Sequence, residues 1–170
     1  SSIAFAALDN IGANDPMGFG SRIACLTAPF ICLDGVNEKG VSIAVLTLDS
    51  EPTRQKTEGR PTIATSLVIR LVLDRADSTE AAVNLIRGYA MLASSGRDYH
   101  FFITDASGDS RVVEYDCDSP DRAMTVTRVE ATTNFYAMHE DRVLPHQRNG
   151  RYGHGRERYD SVMDVIERTR

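Results

Sequence analysis

The hydrophobic positions of this chain first follow a strand pattern and then a helical one. Residues 41–46 form an apolar run rich in β-branched side chains, which predicts a buried strand. Ile63, Leu67 and Leu71 then recur at four-residue spacing, which predicts a helix with a broad apolar face. Pro61 suits the first position of that helix.

A second helix is predicted to follow directly. Asp77 with Glu80 three residues later resembles a capping box, so we expect a helix that continues through Ile86. The Ser-Ser-Gly cluster at residues 94–96 is expected to end it. Both helices should pack on one layer of the fold.

The rest of the chain returns to strand patterns before a last helix. Residues 99–104 and 111–115 flank a Gly-containing loop and predict a β-hairpin, and residues 124–129 predict a third strand. The final residues, with Tyr159, Val162, Met163 and Ile166, predict an amphipathic helix. Strands, paired helices and then antiparallel strands indicate an α+β domain in which helices cover one face of a sheet.

Two polar segments are predicted to be loops. Residues 49–61 carry no apolar periodicity and should be exposed and mobile. Residues 138–155 contain Pro145 and the Asn149-Gly150 pair, which predict a long surface loop.

Length and composition indicate a single globular domain over residues 1–170. The chain is 42% hydrophobic and 25% charged, with 19 basic and 24 acidic residues and a net charge of −5. The acidic balance argues against nucleic-acid binding. The apolar stretches are too short and too interrupted to span a membrane, so we expect neither a nucleic-acid nor a membrane partner.

The cysteines and histidines give no pattern typical of a metal site or a disulfide framework. Cys25, Cys32 and Cys117 are odd in number and lack Cys-x-x-Cys spacing, which favours a reduced, cytoplasmic setting. The four histidines never form a helical His-x-x-x-His pair, so spacing supports neither a metal nor a cofactor.

The densest turn chemistry surrounds Asn37. Residues 33–46 read LDGVNEKGVSIAVL, in which Gly35 and Gly40 supply the backbone freedom of a tight loop. Asn37 at its centre is able to occupy the left-handed region with its amide pointing outward. Turn chemistry alone favours an ordinary hairpin connection.

The order of several blocks resembles the choloylglycine hydrolase and penicillin V acylase family of linear-amide hydrolases. The blocks are APFICLDGVNEKGVSIAVL (28–46), RLVLDRADSTEAAVNLI (70–86), YHFFITDASGDSRVVEYD (99–116), TTNFY (132–136) and GRERYDSV (155–162). The resemblance implies an N-terminal-nucleophile fold, an αββα sandwich with antiparallel sheets, here incomplete. It also implies a mechanism in which an N-terminal cysteine attacks an amide carbonyl and its own α-amino group moves the proton.

Carried over to this sequence, the resemblance implies three site residues. Asn37 and Asn134 match oxyanion-hole residues, and Arg158 matches the active-site arginine, whose permanent charge would stabilise a developing anion. This assignment predicts that the Asn37 and Asn134 amides converge on one cleft. A small-molecule amide is the implied substrate.

The beginning of the chain departs from the family pattern. It opens with SSIAFAALDN, whereas the family begins with the nucleophilic cysteine followed by Arg-Asn-x-Asp. Cys25 and Cys32 have no free amine, and the segment after Ser1 matches sequence well downstream of the nucleophile. We therefore expect the nucleophile-bearing segment to lie outside this chain, and expect that segment or a second copy as the partner.

Two other functions remain open from the sequence. The first is a non-catalytic module that retains the scaffold and binds an amide or carboxylate ligand. The second is a self-contained hydrolase that uses Cys117 and His100. Bile-salt amides, penicillin V and N-acyl amino acids are all substrates that the family resemblance allows.

Overall fold

A mixed α+β architecture is seen in the computed structural model, which describes residues 32–93, 96–143 and 150–170. In chain order its elements are β1 (Asp34–Val36), β2 (Ser42–Leu48), β3 (Thr62–Ala64), α1 (Thr65–Arg75), α2 (Thr79–Arg87), β4 (Ala90–Leu92), β5 (Asp98–Thr104), β6 (Ser110–Tyr115), β7 (Met124–Arg128), a 3-10 helix (Ala137–Arg142) and α3 (Arg156–Thr169). The predicted α+β class is therefore confirmed.

One antiparallel sheet organises the fold. Its strand order is β1-β2-β5-β6-β7, and the predicted hairpin is its β5–β6 pair, in which Phe101 lies opposite Val113. The predicted third strand is β7, which pairs with β6. Within the described residues the other sheet is the short parallel pair of β3 and β4.

Helices α1 and α2 cover one face of the sheet, as the sequence predicts. Alternate residues of β2, β5 and β6 point toward them, because side chains in a strand alternate between its two faces. The resulting core contains Val41, Ile43, Phe101, Ile103 and Val113 from the sheet and Val68, Ile69, Val72, Ala82, Val83 and Ile86 from the helices. All of these side chains are buried.

The opposite face of the sheet carries buried charge. Asp98, His100 and Glu114 are each fully buried there, on neighbouring strands. Tyr136 is fully buried as well, and packs with Leu48 and Cys117 in a second apolar cluster. Burial of carboxylates is costly unless they accept hydrogen bonds, so this face must supply donors.

Several element boundaries differ from the sequence predictions. Pro61 does not begin the first helix, because Thr62–Ala64 pairs with Ala90–Leu92 as a strand and α1 starts at Thr65. The second helix begins at Thr79 with Ser78 as its cap and ends at Gly88, well before residues 94–96.

Each of the two predicted loops holds a buried residue, and residues 144–149 of the second loop lie outside the described part of the chain. Thr53 in residues 49–61 is fully buried, and its backbone nitrogen donates to Asp98 Oδ1 at 3.1 Å. The segment 138–155 holds most of the 3-10 helix, in which His139 is buried. The final helix is confirmed as α3. Among the described residues, none of the helices has the length and apolar character needed to cross a bilayer.

Candidate active site

Asn37 caps the carboxyl end of helix α1. Its Nδ2 donates to Leu73 O at 3.2 Å and to Ala76 O at 2.8 Å, which are carbonyls that a helix leaves unpaired at its end. Its Oδ1 accepts from the backbone nitrogens of Lys39 and Val41, both at 3.0 Å. The side chain therefore folds back into the protein, and both amide hydrogens have protein acceptors.

Asn134 and Arg158 lie together at the carboxyl end of β2. Asn134 Nδ2 donates to Thr47 O at 3.0 Å and approaches Thr47 Oγ1 at 3.3 Å. Arg158 Nη2 donates to Asn134 Oδ1 at 2.8 Å. We call these three residues, Thr47, Asn134 and Arg158, the β2-end cluster.

The structure does not bring Asn37 into this cluster. Asn37 contacts Val41 at the start of β2, whereas Asn134 contacts Thr47 near its end. Thr47 is six positions after Val41 in the chain. At about 3.3 Å per residue this places the two sites about 20 Å apart along the strand. The predicted convergence of the two amides is not found, and an oxyanion-hole role for Asn37 stays a prediction without geometric support.

Close backbone packing positions the cluster. His154 N donates to Asn134 O at 2.8 Å, and Gly153 (φ +103°) lies against the same peptide. A Cβ at Gly153 would lie 2.2 Å from Asn134 O, and one at Gly155 would lie 2.4 Å from Arg158 Nη2. At Gly153 only glycine permits this approach, because the obstacle is backbone, so Gly153 sets the position of the Asn134 peptide. The obstacle at Gly155 is the end of the flexible Arg158 side chain, which is able to move.

Two buried carboxylates fix the segment that follows Asn134. Asp98 Oδ2 accepts from the Tyr136 hydroxyl and, at 3.1 Å, from Ser50 Oγ. Glu114 accepts from the backbone nitrogens of Ala137 (2.7 Å) and Met138 (3.0 Å). Burial, and secondarily the Asp98 charge, raises the pKa of Tyr136 above its ordinary value, so the hydroxyl stays a donor.

A pocket opens beside the end of β2. It has a volume of about 420 Å³ and is lined by Asp49, Ser50, Glu51, Cys117, Arg122 and Arg151. Asp49 also pairs with His154 at 2.7 Å, which links the pocket wall to the β2-end cluster. The pocket therefore provides space for a ligand just beyond the end of β2, with both charge signs on its rim.

The structure does not pair Cys117 with His100, the alternative that the sequence left open. His100 Nδ1 is 3.0 Å from Glu114 Oε1, and both side chains are fully buried. Cys117 instead lies close to the imidazole of His139. Burial raises the pKa of the Cys117 thiol, which disfavours the thiolate that a nucleophile needs.

Sequence reasoning missed Thr47, Asp98 and Tyr136. Thr47 is an ordinary strand residue in the sequence, and only the fold brings Asn134 to it. Asp98 precedes the apolar run of β5 and carries no signal of burial, since its four donors come from residues distant in sequence. Tyr136 was seen only as part of the TTNFY block.

Comparisons with known proteins match this architecture to hydrolases of the N-terminal-nucleophile fold. A variant of the conjugated bile acid hydrolase of Clostridium perfringens superposes with a TM-score of 0.50 and 23% identity, over 60% of this chain and 33% of that chain. The penicillin V acylase of Agrobacterium tumefaciens gives a TM-score of 0.50 and 27% identity, over 62% and 33%. The present chain thus spans about a third of these structures.

The sequence comparison identifies the family. The family of linear amide C-N hydrolases, choloylglycine hydrolase family, matches residues 8–134. The chain therefore belongs to the choloylglycine hydrolase family. Asn37 and Asn134 lie inside the matched range, whereas Arg158 lies beyond it. No curated protein sequence matches the chain.

Proposed function

We propose that the protein to which this chain belongs hydrolyses linear, non-peptide amide bonds. The nucleophile in this proposal is an N-terminal cysteine in a segment outside residues 1–170, and the present chain supplies the β2-end cluster. Family membership supports the reaction class, and the hydrogen-bonded contact between Asn134, Arg158 and Thr47 carries the placement of the site.

The β2-end cluster has the chemistry to stabilise an oxyanion. Attack on an amide carbonyl places negative charge on the carbonyl oxygen, and fixed donors at that point lower the barrier. Arg158 polarises the Asn134 amide through its Oδ1. Asn134 in turn approaches Thr47 Oγ1, which leaves the Thr47 hydroxyl hydrogen free to donate to a substrate. The permanent guanidinium charge adds to the stabilisation.

The cysteine in this proposal needs no separate histidine. A thiol beside an α-amino group with a pKa of about 7.7–8.0 has a base within reach near neutral pH. The amine takes the thiol proton, the sulfur bonds to the carbonyl carbon, and the leaving amine receives that proton. Water then hydrolyses the thioester. Residues of the present chain bind the carbonyl oxygen throughout.

The substrate class we propose is a linear amide joining an acyl group to a small amine. Bile-salt amides, penicillin V and N-acyl amino acids are the candidates, since two structural relatives are named for the first two classes. The pocket beside β2 carries Arg122 and Arg151 together with Asp49 and Glu51. This mixed rim does not by itself select among them.

The test is a hydrolysis assay on the whole protein that carries this chain. Glycine-conjugated bile salt, penicillin V and an N-acyl amino acid are the substrates, and released amine is measured. We expect turnover of at least one, with loss of turnover in the Asn134→Asp variant. Asn84→Asp is the matched control, because Asn84 is exposed on α2 and its side chain hydrogen-bonds to Glu80 and Arg87 on the same helix. No turnover of any substrate would contradict the proposal.

A second candidate function is ligand binding without turnover. The 420 Å³ pocket favours it, because the pocket is formed by this chain's own residues. Saturable binding of an amide by the whole protein, with no amine released over hours, would support this alternative.

We also propose a cytoplasmic location. Cys117 is a free, buried thiol, and free thiols persist in reducing compartments. Cell fractionation followed by immunoblotting tests this, and recovery of the protein outside the cytoplasm would contradict it.

A further inference from the structure

Three potential metal ligands converge at the end of β6, outside the β2-end cluster. Asp116 and Cys117 follow β6 directly, and His139 lies in the 3-10 helix. One ligand atom from each, a carboxylate oxygen, the Sγ and a ring nitrogen, lie within 4.8 Å of one another. Cys117 and His139 are buried and Asp116 is half-buried.

The spacing of the imidazole and the carboxylate is close to that of two ligands on one tetrahedral ion. His139 Nε2 is 3.1 Å from Asp116 Oδ1. Ligands bound to zinc at about 2.0–2.3 Å in tetrahedral geometry lie about 3.3–3.7 Å from each other. Since the Cys117 sulfur lies within 4.8 Å of both atoms, adjustment of the three side chains would place an ion between them.

The donor types favour zinc over the harder divalent ions. A thiolate and an imidazole are preferred by zinc, whereas Mg²⁺ and Ca²⁺ prefer oxygen ligands alone. One thiolate and one carboxylate also balance the charge of a divalent ion. The coordination would thus be neutral without help from surrounding groups.

The nearest further carboxylate, that of Asp118, is not available as a fourth ligand. Asp118 Oδ2 is 3.8 Å from His139 Nε2, but its carboxylate pairs with Arg142 (2.7 Å) and Arg151 (2.9 Å). It is therefore already neutralised. Cys117 lines the 420 Å³ pocket, so water or a ligand is able to reach the fourth position from that side.

The backbone holds His139 in place independently of any ion. Glu114 accepts from Ala137 N and Met138 N at the start of the 3-10 helix. The His139 ring also packs edge-on against Tyr136 and Tyr152, with centroid distances of 5.9 and 5.0 Å. The cluster is therefore preorganised by contacts that a metal does not have to supply.

We propose that Asp116, Cys117 and His139 form a zinc-binding site with three protein ligands and an open fourth position. The site joins the end of β6 to the 3-10 helix. Its three ligands are distinct from the residues of the β2-end cluster, although Cys117 also lines the pocket beside that cluster.

Titration of the full chain with Co²⁺ as a spectroscopic probe tests the proposal. We expect one Co²⁺ per chain, a thiolate-to-cobalt charge-transfer band in the near ultraviolet and intense tetrahedral bands in the visible. Added Zn²⁺ should remove both. Cys117→Ser should abolish the charge-transfer band.

Two variants and two controls assign the ligands. His139→Gln and Cys117→Ser should lower the affinity by more than the roughly 10- to 100-fold that loss of an outer partner costs. His154→Gln is the matched control, because His154 also pairs with an aspartate, Asp49, but outside the cluster. Cys32→Ser is the control for the loss of a cysteine that lies outside the cluster. Both controls should bind Co²⁺ as the unmodified chain does.

Zinc X-ray absorption on the unmodified chain keeps the test independent of variant folding. One sulfur at about 2.3 Å and nitrogen or oxygen ligands at about 2.0–2.2 Å are expected. A spectrum without sulfur, the absence of stoichiometric Co²⁺ binding, or equal binding by His139→Gln would show that the cluster is an ion pair only. None of these outcomes depends on amide hydrolysis.

Discussion

Tyr136 donates its phenolic hydrogen to the buried carboxylate of Asp98. Tyr136 lies two residues after Asn134 in the chain. The same hydroxyl is 2.6 Å from Ser50 Oγ, next to the proposed ligand pocket. This contact ties the segment that carries Asn134 to the polar face of the sheet. The position of the site therefore depends on a buried hydrogen bond that lies outside it.

Removal of the Tyr136 hydroxyl should destabilise the fold. We expect Tyr136→Phe to lower the free energy of unfolding by about 1–3 kcal/mol, because a buried carboxylate loses a donor. Urea unfolding of the chain measures this. Tyr159→Phe is the control, since Tyr159 is half-buried and keeps its ring contact with Phe135. A Tyr136→Phe variant as stable as the control would show that Asp98 does not need this donor.

Gly153 should tolerate substitution far less well than Gly59. Both have positive φ, +103° and +84°, so alanine at either adds backbone strain of about 1–2 kcal/mol. A Cβ at Gly59 meets nothing within 4 Å, whereas one at Gly153 meets Asn134 O at 2.2 Å. We expect the free energy of unfolding of Gly153→Ala to be at least about 1 kcal/mol lower than that of Gly59→Ala. Equal unfolding free energies would contradict the close approach.

Asp105 should make stability depend on pH at the acid end. Its carboxylate accepts from Ser107 and from Thr79 N at the start of α2, and these bonds lower its pKa. Because the folded pKa lies below the unfolded value of about 3.9, the stabilisation is present above that pH and is lost as pH falls through the folded pKa.

The corresponding experiment compares Asp105→Asn with the unmodified chain in urea. We expect the variant to be less stable at pH 7 and the difference to shrink steadily below about pH 3.9. Asp77→Asn, which removes an exposed carboxylate just before α2, is the control. A difference that stays constant down to pH 2 would rule out titration of Asp105 as its cause.

The sequence predicted the elements whose determinants are local. The hairpin of β5 and β6 follows from strand alternation around a Gly-containing loop, and α2 follows from a capping pattern, although Ser78 rather than Asp77 is its cap. The predicted start of α1 at Pro61 was wrong, because residues Thr62–Ala64 form a short strand that depends on pairing with Ala90–Leu92. Such a pairing has no signature in the local pattern.

The candidate site likewise combines features that the sequence predicts with contacts that only the fold creates. Asn134 and Arg158 were found through family blocks, and the fold brings them together. The turn at Asn37–Gly40 was predicted correctly, but Asp34 and Gly35 belong to strand β1, and Asn37 does not occupy the left-handed region. The Asn37 side chain points inward and binds the carbonyls of Leu73 and Ala76, more than thirty residues away. Long-range contacts of this kind decide what a polar side chain does, and periodicity does not encode them.

The most direct measurement compares Asn134→Asp with Asn37→Asp in the whole protein. Both changes replace an amide donor by a carboxylate, and kcat is measured on the best substrate of the hydrolysis panel alongside the free energy of unfolding. We expect Asn134→Asp to lower kcat by about 10²–10³. Asn37→Asp should keep kcat but lose about 1–3 kcal/mol of stability, because helix α1 loses its cap. Loss of kcat in Asn37→Asp with retention in Asn134→Asp would contradict a site at the end of β2.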